Sequence, residues 1–214
     1  MVLCILWHIC EAGQRAGCTN IRFTQRTLLQ HSGRRVQRRS LSFLGGVSLT
    51  IARFDHLERG EILQLLMDSY SKDPRLVARY SRDWEEFDTF VFNNLDIMNR
   101  CGFVTLHHEQ PSGFISWDPR QLPNSIEIGH NCIVSAHQHM GKGREQLECA
   151  LHRIRLLNPK VIIVRTGSTP FFLPARKMYQ GAGFLEKRRI HCDELLVPEV
   201  IQFELLASSS GSEH

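Results

Sequence analysis

The run from Ile126 to Val164 constrains this chain more than any other part of it. Residues 126–134 alternate as a strand does, with Ile126, Ile128, Cys132 and Val134 on one face and Glu127, Asn131 and Ile133 on the other. Gly141 then opens a helix to about Leu157. Its buried stripe is Leu147, Ala150, Leu151 and Ile154, and Asn158-Pro159 stops it. Residues 161–164 (VIIV) are a continuous β-branched run, the pattern of a strand buried on both faces. Strand, helix and buried strand in that order predict a right-handed βαβ crossover.

The surrounding elements fit a sheet built around that unit. Residues 48–54 alternate as a strand, and 58–70 carry Ile62, Leu65 and Leu66 at helical spacing. Residues 74–94 predict one or two helices with Trp84, Phe87 and Val91 on one face. Two short strands, 103–107 and 113–117, flank a turn at Glu109-Gln110-Pro111-Ser112. Pro174 suits a first helical turn, Ala175, Met178, Tyr179 and Ala182 follow at helical spacing, and Gly183 suits the end. Residues 184–190 and 200–206 close the sheet. The expected fold is α/β, with a mixed sheet in one dominant domain over 47–207, and 208–214 form a disordered tail.

Residues 1–46 stand apart. Up to Arg53 there are eight Lys+Arg against one acid (8 − 1 = +7), and from Phe54 onward the balance is 18 − 21 = −3. The extension shows no sustained period and has three readings: an Arg-rich organellar transit peptide, a disordered basic arm for anionic surfaces or nucleic acid, or sequence from a start codon placed too early. Disorder or the last of these is favoured, so nucleic acid is not a favoured partner. No apolar run approaches the roughly 20 residues of a membrane span. Seven cysteines, odd in number and without C-x-x-C, argue against a disulfide framework and point to a reducing compartment, the cytoplasm.

The chemistry concentrates at Gln138-His139-Met140-Gly141-Lys142-Gly143, between strand and helix. Glycines let a ligand approach the backbone, and the first free N–H groups of a helix attract an anion such as a pyrophosphate. The loop is neither a P-loop nor a dinucleotide fingerprint. His130, His137 and His139 surround it, with His107-His108 one strand earlier. No carboxylate or cysteine stands at ligand spacing, so these read as loop histidines and no metal is expected. There is no G-x-S-x-G, and Cys132 reads as buried packing.

Q-x-x-G-x-G after an I-E-I-x-x-x-x-I-V strand, then V-I-I-V, then P-A-R-K-M-Y-Q-G-A-G-F, together resemble the GNAT superfamily of acetyl-CoA-dependent N-acetyltransferases. The resemblance follows element order from about Ser48 to Leu206 and is motif-level from Ile126 to Phe184. It implies a mixed, mostly antiparallel sheet of six to seven strands flanked by helices, with the βαβ unit holding the cofactor. It implies that Gln138, Met140, Gly141, Lys142 and Gly143, with Arg144, hold the pyrophosphate of acetyl-CoA. Ile133 and Val134 match the positions whose backbone pairs with the pantetheine arm. Tyr179 matches the general acid at the leaving sulfur, against the plain reading of a core tyrosine. Glu127 matches the strand general base of some members, against a solvated strand glutamate. Phe172 stands where the family often has a cofactor-contacting Asn, so that contact must be lost or supplied elsewhere. The acidic stretch Asp83, Glu85, Glu86 and Asp88 lies on the family's acceptor side and reads either as steering for a cationic amine or as a solvated helix face.

Two functions follow from the resemblance. One is transfer of an acetyl group to a primary amine of a small molecule, less readily of a peptide or protein, by direct attack on the thioester. The other is a non-catalytic acyl-CoA-binding module. The implied partners are acetyl-CoA and an amine acceptor, and a homodimer is compatible with the sequence.

Overall fold

A sheet with one odd junction organises the molecule. The computed structural model describes residues 39–42 and 48–207. In chain order the elements are β1 (Arg39–Ser42), β2 (Ser48–Ala52), α1 (Glu61–Ser69), α2 (Pro74–Asn93), α3 (Leu95–Met98), β3 (Gly102–His107), β4 (Gln110–Asp118) and β5 (Ser125–Ile133). Then come α4 (Lys142–Arg155), β6 (Val161–Gly167), α5 (Leu173–Gly181), β7 (Leu185–His191) and β8 (Glu199–Leu206). The strands lie in the order β1-β2-β3-β4-β5-β6-β8-β7. Every neighbouring pair is antiparallel except β5 and β6, which the α4 crossover makes parallel.

Seven strands come from the expected domain, matching the predicted mixed sheet. The eighth, β1, comes from within the basic extension and pairs along β2. The remaining readings of that extension, and of the 208–214 tail, lie outside the described residues. The β3–β4 turn falls on His108 and Glu109, both at positive φ (46° and 70°). Gln110 and Pro111 therefore belong to β4 rather than to the turn.

Helices cover both faces. On one, α1 and α2 bring Ile62, Leu66, Leu76, Tyr80, Trp84 and Val91 against the sheet. On the other, α4 and α5 bring Leu147, Ala150, Ile154, Ala175 and Tyr179 down onto Ile126, Ile128, Ile162 and Val164. Pro74 at the first turn and the Asp73 carboxylate, accepting from the Arg75 N–H at 3.2 Å, begin α2. The acidic stretch on α2 divides by burial. Asp88 is buried and accepts from the Gly60 N–H at the start of α1, at 2.9 and 3.0 Å. Asp83 and Glu86 pair with Arg79 and Arg82 along the helix.

Two strand expectations change in three dimensions. Ser116 pairs with His130 and Trp117 with Ile128, so Gly129 is an extra, unpaired residue in β5. This β-bulge resets the alternation. Ile126 and Ile128 face α4, but beyond Gly129 it is Asn131 and Ile133 that face α4 and α5, while His130 and Cys132 turn to the face covered by α1 and α2. Glu127 and Asn131, expected on one face, lie on opposite ones. The VIIV run is also not buried on both faces. Ile162 and Val164 are enclosed, whereas Val161 and Ile163, on the alternate face with Arg165, are only half-buried.

After β6 the chain turns through Phe171-Phe172 into α5. Gly167 makes this possible, because a Cβ there would lie 2.4 Å from the fully buried Phe172 ring. Arg176 closes the turn by donating to the carbonyls of Gly167 (2.7 Å) and Thr169 (2.9 Å). Gly167→Ala is expected to lower unfolding stability by about 1–3 kcal/mol, since neither backbone nor enclosed ring can yield. Urea denaturation measures it, and an unchanged midpoint would contradict this packing.

Candidate functional site

β5 and β6 pair only from Ser125–Val161 to Ile128–Val164. Beyond that point β5 carries on to Ile133 without β6 beside it, and the two strands part. The wedge between them opens into a cleft of about 320 Å³, within the usual size range of a small-ligand site. Its walls are Asn131 and Ile133 from β5, the Gln138–Arg144 loop and helix start, Phe171, and Pro174, Ala175 and Met178 of α5; Lys72 reaches in from the α1–α2 turn.

The loop is shaped for close approach. Gly141 adopts φ +79°, which only glycine takes at little cost, and α4 begins with no side chain capping its N–H groups. A Cβ on Gly143 would stand 3.4 Å from Met178 Sδ, so the helix start and α5 meet edge to edge. Lys72 and Arg144 add cationic side chains at the same wall. Uncapped N–H groups with the positive end of the helix dipole behind them, Lys72 in the wall, and Arg144 there too though paired with Glu148 at 2.8 Å, make an anion site. These residues fit a pyrophosphate group.

Of the eight residues expected to hold the cofactor, five line this cleft: Ile133, Gln138, Gly141, Gly143 and Arg144. Gln138 also braces the loop, its Nε2 donating to Ser69 O (2.9 Å) and Ile133 O (3.0 Å) while Lys72 Nζ donates to its Oε1 (3.2 Å). Met140 is 60% exposed and outside the cleft wall, and Lys142 turns back to Glu145 at 2.9 Å. The Val134 N–H is spent on Ser112 O, 2.9 Å across to the β3–β4 hairpin. Phe172 makes no polar contact to the cleft; Phe171 lines it instead, stacked on Tyr70 at 5.7 Å.

Tyr179 is fully enclosed, edge-on to Phe184 at 5.7 Å, and burial raises its pKa. Its hydroxyl stands behind the cleft wall, where Asn131 Nδ2 faces it at 3.5 Å. Glu127 lies on the other face of the sheet. Both its oxygens accept from Arg165 Nη1, at 2.6 and 2.5 Å, and Arg165 Nε in turn donates to Gln202. Burial pushes the Glu127 carboxyl upward, and Arg165 opposes that shift without cancelling it.

The histidines separate. His139 lines the cleft at φ +64°, with Nε2 3.4 Å from Lys72 Nζ. His107, His108 and His137 group together, the His107 ring lying 4.2 Å from each of the other two. His130 is buried, stacked on Phe87 at 3.9 Å with Nδ1 3.0 Å from Ser116 Oγ. Among the described residues no three His, Cys, Asp or Glu side chains stand together as a metal site. Cys132 is buried, its thiol pushed up to about 11 by desolvation.

No protein-family model and no curated protein matches this sequence. Solved structures do. A protein assigned to the GNAT acetyltransferase family from Desulfovibrio desulfuricans aligns over 69% of this chain and 91% of its own, at TM-score 0.58 and 15% identity. A Salmonella typhimurium protein solved with its cofactor acetyl-CoA aligns over 78% and 98%, at TM-score 0.55 and 12% identity. This is the GNAT fold. A chimeric spermidine N-acetyltransferase from Vibrio cholerae SpeG and hSSAT shares it over 74% and 95%, at TM-score 0.55 and 19% identity. In GNAT terms the parted strands, glycine loop and α5 of this chain fall in the expected order. Lys72, Asn131, Phe171 and Met178 are site residues that sequence reasoning missed. Met178 and Asn131 carried a signal, Met178 in the apolar stripe of Tyr179 and Asn131 on the strand face assigned to Ile133. Among the described residues no helix is long and apolar enough to cross a membrane.

Desolvation pushes the His130 pKa down to about 3 from the ordinary 6.5. The folded protein then binds fewer protons than the unfolded chain between those values. Stability is full above pH 6.5 and falls as pH drops toward 3. His130→Gln, which keeps a partner for Ser116 but does not titrate, is expected to flatten that decline, by at most about 1.4 kcal/mol per pH unit. Unfolding midpoints at pH 7, 6 and 5 test it, and parallel curves for the two proteins would contradict it.

Proposed function

We propose that this chain is an acetyl-CoA-dependent N-acetyltransferase acting on a primary amine of a small molecule. The observation that carries the reading is the cleft where β5 leaves β6, walled by an uncapped helix start, Lys72 and Arg144. Acetyl-CoA, when bound, supplies an activated thioester. Gly141, Gly143, Lys72 and Arg144 hold its pyrophosphate, and Met140 and Lys142 contribute through their backbone. Ile133 at the parted end of β5 receives the pantetheine arm, Val134 offers it no backbone pairing because its N–H and C=O are spent on Ser112 and His137, and Gln138 keeps the loop in place.

The acetyl group passes from sulfur to nitrogen. Glu127 takes the proton the amine gives up, and Tyr179 supplies one to the leaving sulfur. Exchange with water restores both groups. The raised pKa of Glu127 suits a base, and its position on the face opposite the cofactor wall suits an acceptor arriving from that side. The acceptor class is supported by that carboxylate and by the spermidine-acetylating neighbour. A peptide or protein amine is the less favoured acceptor, and a homodimer and a cytoplasmic location complete the proposal.

A second reading, an acyl-CoA-binding module without turnover, draws on one observation: the Tyr179 side chain is fully enclosed and reaches the cleft only past Asn131. Calorimetric titration of the full chain with acetyl-CoA tests what both readings share. Gly141→Glu is expected to abolish binding by placing a carboxylate in the anion site. Lys72→Ala is expected to weaken binding by about tenfold, the value of a lost charge-assisted contact. A folded wild-type protein that binds no acetyl-CoA would remove both readings. Tyr179→Phe separates them: turnover of acetyl-CoA is expected to fall about a hundredfold with affinity unchanged, whereas the module shows no turnover to lose.

A further inference from the structure

A buried polar chain runs from β3 through α4 to the cleft wall. Gln146 of α4 is fully enclosed among apolar neighbours. Its Nε2 lies 3.0 Å from Phe114 O and 3.2 Å from Cys132 O. Carbonyls only accept, so that atom is the amide nitrogen, and the Gln146 oxygen faces Thr105 Oγ1 at 2.5 Å. The same nitrogen lies 2.7 Å from the Asn131 side chain, so its two hydrogens are shared among three acceptors; a turned Asn131 would set its own NH₂ against that NH₂, and Asn131 therefore presents its oxygen there. Asn131 is thereby left with only one way to face Tyr179. Its NH₂ group points at the phenol, at the long distance of 3.5 Å.

We infer that Gln146 and Asn131 are positioning residues that hold the Tyr179 hydroxyl as a hydrogen-bond acceptor and so leave its proton undonated, available to the cleft. An asparagine turned the other way would accept that proton and hold it inside the wall. Two backbone carbonyls, through Gln146, forbid that orientation. The inference rests on the role proposed above for Tyr179, but the orientation itself stands on the hydrogen-bond arithmetic alone. A buried polar chain of this kind must be satisfied throughout or it costs stability. Here the two Gln146 hydrogens serve three acceptors, Thr105 donates to the Gln146 oxygen, and the phenol proton alone is given no acceptor.

The test uses the full chain. Raman spectra of wild type minus Tyr179→Phe isolate the Tyr179 ring, whose Fermi doublet distinguishes a phenol that accepts from one that donates. No ligand is needed. The wild-type doublet is expected to be of the accepting type, and that of Asn131→Asp, where a carboxylate meets the hydroxyl, of the donating type. A donating wild-type doublet overturns the inference whatever the activity. The second arm follows thiol release from acetyl-CoA with spermidine as the probe amine. Asn131→Asp is expected to lower kcat by about tenfold or more. Its effect is expected to vanish in a Tyr179→Phe background, where there is no phenol left to orient.

Additive losses in the double variant would make Asn131 a merely structural residue and overturn the positioning role. Wild-type kcat in Tyr179→Phe would instead remove the acid role, leaving the doublet to judge the orientation. If Asn131→Asp does not fold, Gln146→Met serves in both arms. It frees the Asn131 amide to turn, and is expected to give a mixed doublet and a partial loss of kcat. An accepting doublet unchanged in that variant would overturn the inference.

Discussion

One extra residue in one strand governs much of what this molecule can do. Were Gly129 paired as an ordinary strand residue, the side chains of β5 would alternate uninterrupted, and Glu127, Asn131 and Ile133 would share a face. The bulge puts Glu127 on one side of the sheet and Asn131 with Ile133 on the other. It also falls where β5 stops pairing with β6. A bulge bends and twists its strand, and here the bend and the parting together open a cleft that reaches from the helix side toward the middle of the sheet. The position leaves room for a side chain, since a Cβ there would meet only Ser116 Oγ at 3.9 Å.

The two faces carry different chemistry. On the α4 and α5 side the cleft is cationic at its mouth and apolar along Phe171, Pro174, Ala175 and Met178. That combination suits a ligand with an anionic head and a long uncharged arm. On the opposite face Glu127, Arg165, Gln202 and Arg188 form a hydrogen-bonded row over β5, β6, β8 and β7. Arg165 is what makes a half-buried Glu127 tolerable, since an unpaired carboxylate at that depth would protonate instead. On the α4 side, under the cleft, lies the Gln146–Asn131 chain. It ties the helix start, the bulged strand and β3 together at the depth where the cleft ends, so the positions of the anion loop and of Tyr179 are not independent.

The crossover unit, the glycine loop and most helix boundaries were legible because each rests on local rules. Helix stripes, proline starts and glycine ends are set by neighbours within a few residues, and Pro74, Pro174 and Gly183 stand where those rules place them. What misled was parity. A strand's two faces can be read from alternation only if no residue is unpaired, and pairing partners such as Ser116 and His130 are not adjacent in the chain. The burial of the VIIV run misled for a related reason. Its composition states what the strand tolerates, whereas the packing of distant segments decides what covers it.

The sequence by itself determined the α/β class, the βαβ unit at the centre of the sheet, and a glycine loop fit for an anion, because those depend on short-range periodicity and backbone freedom. Only the tertiary structure decided which side chains meet in the cleft. Lys72 lies 66 residues from Gln138, and Asn131 lies 48 from Tyr179. Gln146, a lone polar residue beside an apolar stripe, became meaningful only when Thr105, Phe114 and Cys132 closed around it. Such contacts follow from strand register and the bulge at Gly129, which are settled by pairing between distant segments and by what each segment buries.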